Sequence, residues 1–99
     1  MIELASRLAG PGQLALIGGG EFSFGETTEA DALWTGTAPA GGVGFLPTAS
    51  GSSDYGEHFA AYLGEGCDRE VVTIPVYRKR DARRQKNVDR IGDAAAVYI

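Results

Sequence analysis

The sequence predicts an α/β fold built on a mostly parallel sheet. Short apolar runs recur along the chain at a spacing of about 25 residues, and turn residues close each of the first three. The segments between them carry helical patterns or turn residues. Continuous apolar strands that alternate with helices are typical of a parallel sheet covered on both faces.

The predicted strands follow one another in the same form. The first, QLALI, ends at three glycines, and the second and third, VGFL and EVVTI, each end at a proline. The fourth is AAAVYI, at the end of the sequence. The four strands are expected at residues 13–17, 43–46, 70–74 and 94–99.

An amphipathic helix is predicted between the second and third strands. It begins at a serine cap, Ser52 or Ser53, and stops at Gly64 and Gly66. Its apolar side follows the i, i+4, i+7, i+8 spacing and consists of Tyr55, Phe59, Tyr62 and Leu63.

A more polar helix is predicted between the third and fourth strands. Asp81 caps it, and Val88 and Ile91 form its inward face. One or two helical turns are also expected around Leu33 and Trp34, before a glycine-rich loop at 36–42.

Together these elements predict a doubly wound, flavodoxin-like, mostly parallel sheet with helices on both faces. The sequence stops inside the fourth strand, at Ile99. Because an interrupted parallel sheet leaves apolar surface bare, we expect residues 1–99 to be the N-terminal part of one larger domain, truncated after the fourth strand. Homo-oligomerisation is left open.

The charges are segregated along the chain. Nine of the thirteen acidic residues lie between Glu21 and Glu70, and seven of the nine basic residues lie between Arg78 and Arg90. The net charge of −4 argues against a nucleic-acid partner, and the basic run is expected to be a solvated helix face. Recognition of an acidic substrate stays open, because arginine matches carboxylates well.

Cysteine usage and hydropathy limit the class of protein further. Cys67 is the only cysteine and His58 the only histidine, so this sequence has no internal disulfide and no Cys/His zinc cluster. No apolar run approaches the roughly 20 residues that span a bilayer. We expect a cytoplasmic protein with no membrane partner, no metal and no cofactor.

Candidate site residues follow the predicted strands, because ligands of open α/β sheets bind beyond the carboxyl ends of the strands. The glycines after the first strand allow close backbone approach, and a hydroxyl-rich turn after the second leads into a helix. Val76, Tyr77 and Arg78 follow the third strand. The expected pocket edge consists of Gly18, Gly19, Gly20, Glu21, Thr48, Ser50 and Ser52.

Other functional assignments of the residues in this sequence have less support from its motifs. The glycine run lacks both the G-x-G-x-x-G spacing of a dinucleotide site and the Gly-Lys-Ser/Thr of a phosphate loop. The serines do not form a G-x-S-x-G elbow, and capping or turn formation explains them better. His58 is expected to flank the core, and Cys67 to pack at a loop. A nucleotide-binding module remains a minor alternative.

The motifs IGGGE, FLPTAS and IGDAAAVYI, in this order, resemble the serine peptidase family of cyanophycinase and aspartyl dipeptidase. The resemblance covers residues 13–99 and implies a class I glutamine amidotransferase-like fold. In that family a later Gly-x-Ser-Ala-Gly elbow carries the nucleophile, and a histidine and an acid follow it. None of these positions occurs in this sequence, so it contains no catalytic residue of the family.

The resemblance implies a fragment of a serine-type hydrolase that acts on a small peptide or amide substrate beside aspartate. The alternative is a non-catalytic binding or regulatory domain of the same fold that lacks the nucleophile. In either case the 99-residue chain alone is expected to be inactive.

Overall fold

The computed structural model describes residues 2–4 and 13–99, and the chain divides into two compact units, residues 1–37 and 38–99. The first unit contains strands β1 (Ile2–Leu4) and β2 (Ala15–Ile17), a 3₁₀ turn (Phe22–Phe24) and helix α1 (Thr28–Thr37). The second contains β3 (Val43–Phe45), α2 (Ser53–Cys67), β4 (Val71–Thr73), a 3₁₀ turn (Asp81–Arg83), α3 (Gln85–Asp93) and β5 (Ala96–Tyr98). No helix in these described ranges is long and apolar enough to cross a membrane.

The second unit is built on a parallel sheet with the strand order β4-β3-β5. Phe45 of the central strand lies opposite Thr73 of β4 and Tyr98 of β5. The predicted α/β class with parallel strands joined by helices is therefore confirmed for residues 38–99. The sheet has three strands.

The core of this unit lies between the central strand and α2. Val43 and Phe45 of the central strand are only 1% and 2% exposed. The ring of Phe59 stacks on those of Phe45 and Tyr98, with centroid distances of 5.1 and 4.3 Å. Phe59 and Leu63 are fully buried, which confirms the predicted apolar side of this helix.

Two glycines permit the close packing around β3. A Cβ atom on Gly56 would lie 2.6 Å from Thr73 Oγ1, so the absence of a side chain lets α2 approach the sheet. A Cβ atom on Gly44 would lie 2.7 Å from Ile74 Cδ1 and 3.3 Å from Ala94 Cβ. Larger residues at either position would force neighbouring atoms apart.

The C-terminus of α2 differs from the prediction. Gly64 and Gly66 lie inside the helix, which continues to Cys67. Asp68 ends it in the left-handed conformation, with φ of 53°, and its N–H donates to the carbonyl of Leu63. A short polar residue tolerates this conformation, so aspartate takes the terminating role expected of glycine.

The polar helix also begins later than predicted. Asp81 opens a 3₁₀ turn, and α3 starts at Gln85. The inward residue of α3 is Asn87, which is 2% exposed, whereas Val88 and Ile91 are 47% and 42% exposed. The prediction of an inward face at Val88 and Ile91 was wrong: the covered side carries the Asn87 amide, which donates to the carbonyl of Asp81 and accepts from the guanidinium of Arg90.

In the first unit, β2 does not join a parallel sheet. It pairs antiparallel with β1, with Leu16 opposite Glu3. Leu14 and Leu16 are 45% and 52% exposed, so the prediction of a strand buried on both faces was wrong. A run of apolar residues cannot distinguish a central strand from one in a two-stranded ribbon.

Helix α1 confirms the predicted helical turns but buries polar residues. Asp31 and Thr35 are 0% and 5% exposed, while Leu33 is 54% exposed. The carboxylate of Asp31 accepts hydrogen bonds from the Thr27 hydroxyl and from the Trp34 indole, both at 2.8 Å. The hydrogen bonds satisfy the buried acid.

Arg69 holds the loop that leads into β3. Its guanidinium donates to the carbonyls of Pro39, Gly41 and Ala38 at 2.6, 2.8 and 3.1 Å. We expect Arg69→Lys to lower the free energy of unfolding by about 1 kcal/mol, because lysine keeps the charge but loses the planar fork. Urea unfolding followed by circular dichroism measures this, with the exposed Arg83→Lys as the control; equal midpoints for both variants would contradict it.

Candidate functional site

The loops that follow β3 and β4 come together at the carboxyl edge of the parallel sheet. The hydroxyl of Thr48, after β3, donates a hydrogen bond to the carbonyl of Val76, after β4. An open depression of about 610 Å³ at this edge is lined by Gly51, Tyr77, Arg78, Arg80 and Asp81. Because ligands of open α/β sheets bind at this edge, the depression is the candidate site.

The predicted hydroxyl residues lie in the first of these loops. Thr48, Ser50 and Ser52 are all exposed. The Ser50 hydroxyl donates to the carbonyl of Pro47 at 3.1 Å and accepts from the N–H of Ser52 at 3.4 Å. Ser52 is the N-cap residue of α2, but its side chain makes no capping hydrogen bond. The Ser50 hydroxyl thus stabilises the turn, whereas that of Thr48 joins the two loops.

The predicted glycine residues lie in the first unit. Gly18 follows β2, and Gly19 and Gly20 have φ of 107° and 98°, which glycine adopts readily. Glu21 caps the 3₁₀ turn, and its N–H donates to the carboxylate of Glu26 at 3.1 Å. The chain bends at Gly19. Its place at a pocket edge stays a prediction.

The cationic side chains at the depression were not among the predicted site residues. Arg78 and Arg80 are exposed and lie in the turn between β4 and α3, rather than on a solvated helix face as predicted. Their position was the relevant signal: Arg78 is among the residues expected at the ligand edge after the third predicted strand, and Arg80 follows two residues later. Residues directly after a parallel strand face the ligand edge, whatever their charge pattern indicates.

Asp81 is the anionic side chain at the depression. Hydrogen bonds from the backbone N–H groups of Tyr77 and Arg78 lower the pKa of the Asp81 carboxyl below its usual value, and the cations Arg84 and Arg80 lower it further. The side chain is therefore an anion at neutral pH. The depression combines two exposed guanidinium groups with one carboxylate that is engaged by the backbone.

The remaining candidates lie on α2. His58 is exposed, which differs from the expected position beside the core, and Cys67 is a half-buried free thiol at the C-terminus of the helix. Within residues 2–4 and 13–99, no cluster of His, Cys, Asp and Glu side chains could hold a metal ion. The chemistry of the described site is thus that of arginine, carboxylate and hydroxyl groups.

The family implied by the sequence motifs remains a prediction. The flavodoxin-like topology expected from the order of strands and helices also remains a prediction. Comparison with protein-family models, with curated proteins and with solved structures found no match.

Proposed function

We propose that the depression after β3 and β4 is the acid-recognising edge of the substrate pocket of a serine-type hydrolase that cleaves peptide or amide bonds beside aspartate. The observation that supports this most directly is the pair of exposed guanidinium groups, Arg78 and Arg80, at the carboxyl edge of a parallel sheet. The resemblance to the cyanophycinase and aspartyl dipeptidase family supplies the reaction class.

The chemistry of the lining suits a carboxylate. A guanidinium presents a planar fork of N–H donors that matches the two oxygens of a carboxylate. Gly51 also lines the depression and directly precedes the N-cap of α2, where the helix dipole favours negative charge. An aspartyl side chain or a terminal carboxylate is thus the preferred group at this edge.

The steps of bond cleavage are implied by the resemblance alone. In such a hydrolase a serine attacks the carbonyl carbon, a histidine accepts the proton of its hydroxyl and returns it to the leaving amine, and backbone amides bind the oxyanion. We assign none of these roles to a residue of this chain. Its proposed contribution is to bind and orient the acidic part of the substrate.

A second candidate is a non-catalytic binding domain of the same fold. The exposed arginine pair suits it equally, because recognition of an acidic ligand needs no nucleophile. Any coding sequence downstream of Ile99 separates the two candidates. A Gly-x-Ser-Ala-Gly element with a later histidine supports the hydrolase, whereas another residue at the serine position contradicts it.

Binding of an acidic ligand tests the proposed site on the chain itself. We expect N-acetyl-L-aspartate to bind, and Arg78→Gln and Arg80→Gln each to raise its Kd by about twofold to fivefold, the range for exposed ion pairs. Titration calorimetry at low ionic strength measures this, because salt screens exposed charges.

The matched control is Lys86→Gln, which removes one exposed positive charge from α3, outside the lining of the depression. It should leave the Kd nearly unchanged. N-acetyl-L-asparagine, which lacks the side-chain carboxylate, should bind more weakly to the unmodified chain. Equal losses in the Lys86 and arginine variants would indicate a general charge effect and contradict a site at the depression.

A further inference from the structure

The turn that carries the two arginines, residues 77–84, is closed by one carboxylate. Asp81 Oδ2 accepts hydrogen bonds from the backbone N–H groups of Tyr77 and Arg78, both at 3.0 Å. Asp81 Oδ1 lies 3.6 Å from Nε of Arg84. The Asp81 side chain is 13% exposed and that of Arg84 is 67% exposed. Both oxygens of the carboxylate are thus directed at the turn itself.

The backbone of the same residue ties the turn to α3. The carbonyl of Asp81 accepts from Nδ2 of Asn87 at 2.9 Å and from the N–H of Arg84 at 3.2 Å. Asn87 is almost fully buried, and its Oδ1 accepts from the guanidinium of Arg90 at 2.8 Å. The side chain of Asp81 therefore bonds to other residues of the turn, and its backbone carbonyl links the turn to α3.

We propose that Asp81 is a positioning residue that sets the place of Arg78 and Arg80 at the depression. This inference rests on the proposed function, because it concerns the recognition of an acidic ligand by those arginines. Asp81 itself lines the depression and is an anion, so its charge alone disfavours an acidic ligand there. The hydrogen bonds of Asp81 position the arginines and so favour binding, whereas its negative charge opposes binding of an acidic ligand. Because the two effects have opposite signs, substitutions that change one and keep the other distinguish them.

Two substitutions separate geometry from charge. Asp81→Asn removes the charge but leaves an oxygen where Tyr77 and Arg78 donate, so we expect a Kd for N-acetyl-L-aspartate equal to that of the unmodified chain or lower. Asp81→Glu keeps the charge but moves the carboxylate by one methylene, so we expect a Kd raised by roughly threefold to tenfold. Both variants keep a polar side chain in the turn and should fold.

The control is Asp89→Asn, which removes a carboxylate that accepts from Gln85 within α3. We expect the Kd of Asp89→Asn for N-acetyl-L-aspartate to equal that of Asp81→Asn or to exceed it slightly. A Kd for Asp81→Glu equal to that of the unmodified chain would overturn the positioning role, as would equal weakening by Asp81→Asn and Asp81→Glu. An unmodified chain that does not bind N-acetyl-L-aspartate would contradict the proposed function, and the positioning role with it.

Discussion

Replacement of Phe59 by alanine is expected to lower the free energy of unfolding by about 3–5 kcal/mol, the largest of the effects that we expect. The side chain is fully buried, and its ring packs against those of Phe45 and Tyr98. Its removal leaves a cavity between α2 and two strands of the sheet. Because a small domain is stable by only about 5–15 kcal/mol, the second unit should lose much of its stability.

The neighbouring residue provides the control for this prediction. His58 lies on the same helix and is exposed, so His58→Ala should change the free energy of unfolding by no more than about 0.5 kcal/mol. Urea unfolding followed by far-UV circular dichroism measures both variants. Similar midpoints for Phe59→Ala and His58→Ala would show that α2 does not pack on the sheet through this ring.

Replacement of Asp31 by alanine is the second large effect that we expect. The substitution removes the acceptor of the Thr27 hydroxyl, which is 4% exposed, and one acceptor of the Trp34 indole. Each buried donor that loses its acceptor costs about 1–3 kcal/mol. The first unit should therefore be destabilised strongly, although no apolar side chain has been removed.

Trp34 reports on this change directly, because it is the only tryptophan of the chain. In Asp31→Ala the fluorescence transition in urea should shift to lower concentration. Asp31→Asn, which keeps one oxygen acceptor, should have an intermediate effect. The exposed Glu29→Ala on the same helix is the control, and a transition equally shifted in Glu29→Ala would contradict a specific role of the buried carboxylate.

The elements that the sequence predicted well are those with a strong apolar pattern. The helix with Phe59 and Leu63 on one side, and the strand that contains Phe45, were both expected and both form the core of the second unit. Burial of these side chains dominates the local free energy, so the pattern is informative. The run at residues 13–17 has a similar composition and pairs quite differently, because pairing depends on partners distant in sequence.

The candidate site was only partly predictable. The loop with Thr48, Ser50 and Ser52 follows β3, but Gly51 is its residue at the depression, so the pocket-edge place of the other three stays a prediction. The basic run that begins at Arg78 was expected to be a solvated helix face, because a run of charges is usually solvated. The carboxylate of Asp81 instead accepts from Tyr77 and Arg78, which precede it, and closes a turn.

The sequence by itself determined the α/β class of the second unit and the approximate places of its strands and helices. The apolar patterns carry that information because the side-chain periods of strands and helices differ. Only the tertiary structure decided that β2 pairs antiparallel, that Asn87 is the inward residue of α3 and that Asp81 closes the arginine turn. These outcomes depend on hydrogen bonds whose partners must first be brought together, and a linear pattern does not specify them.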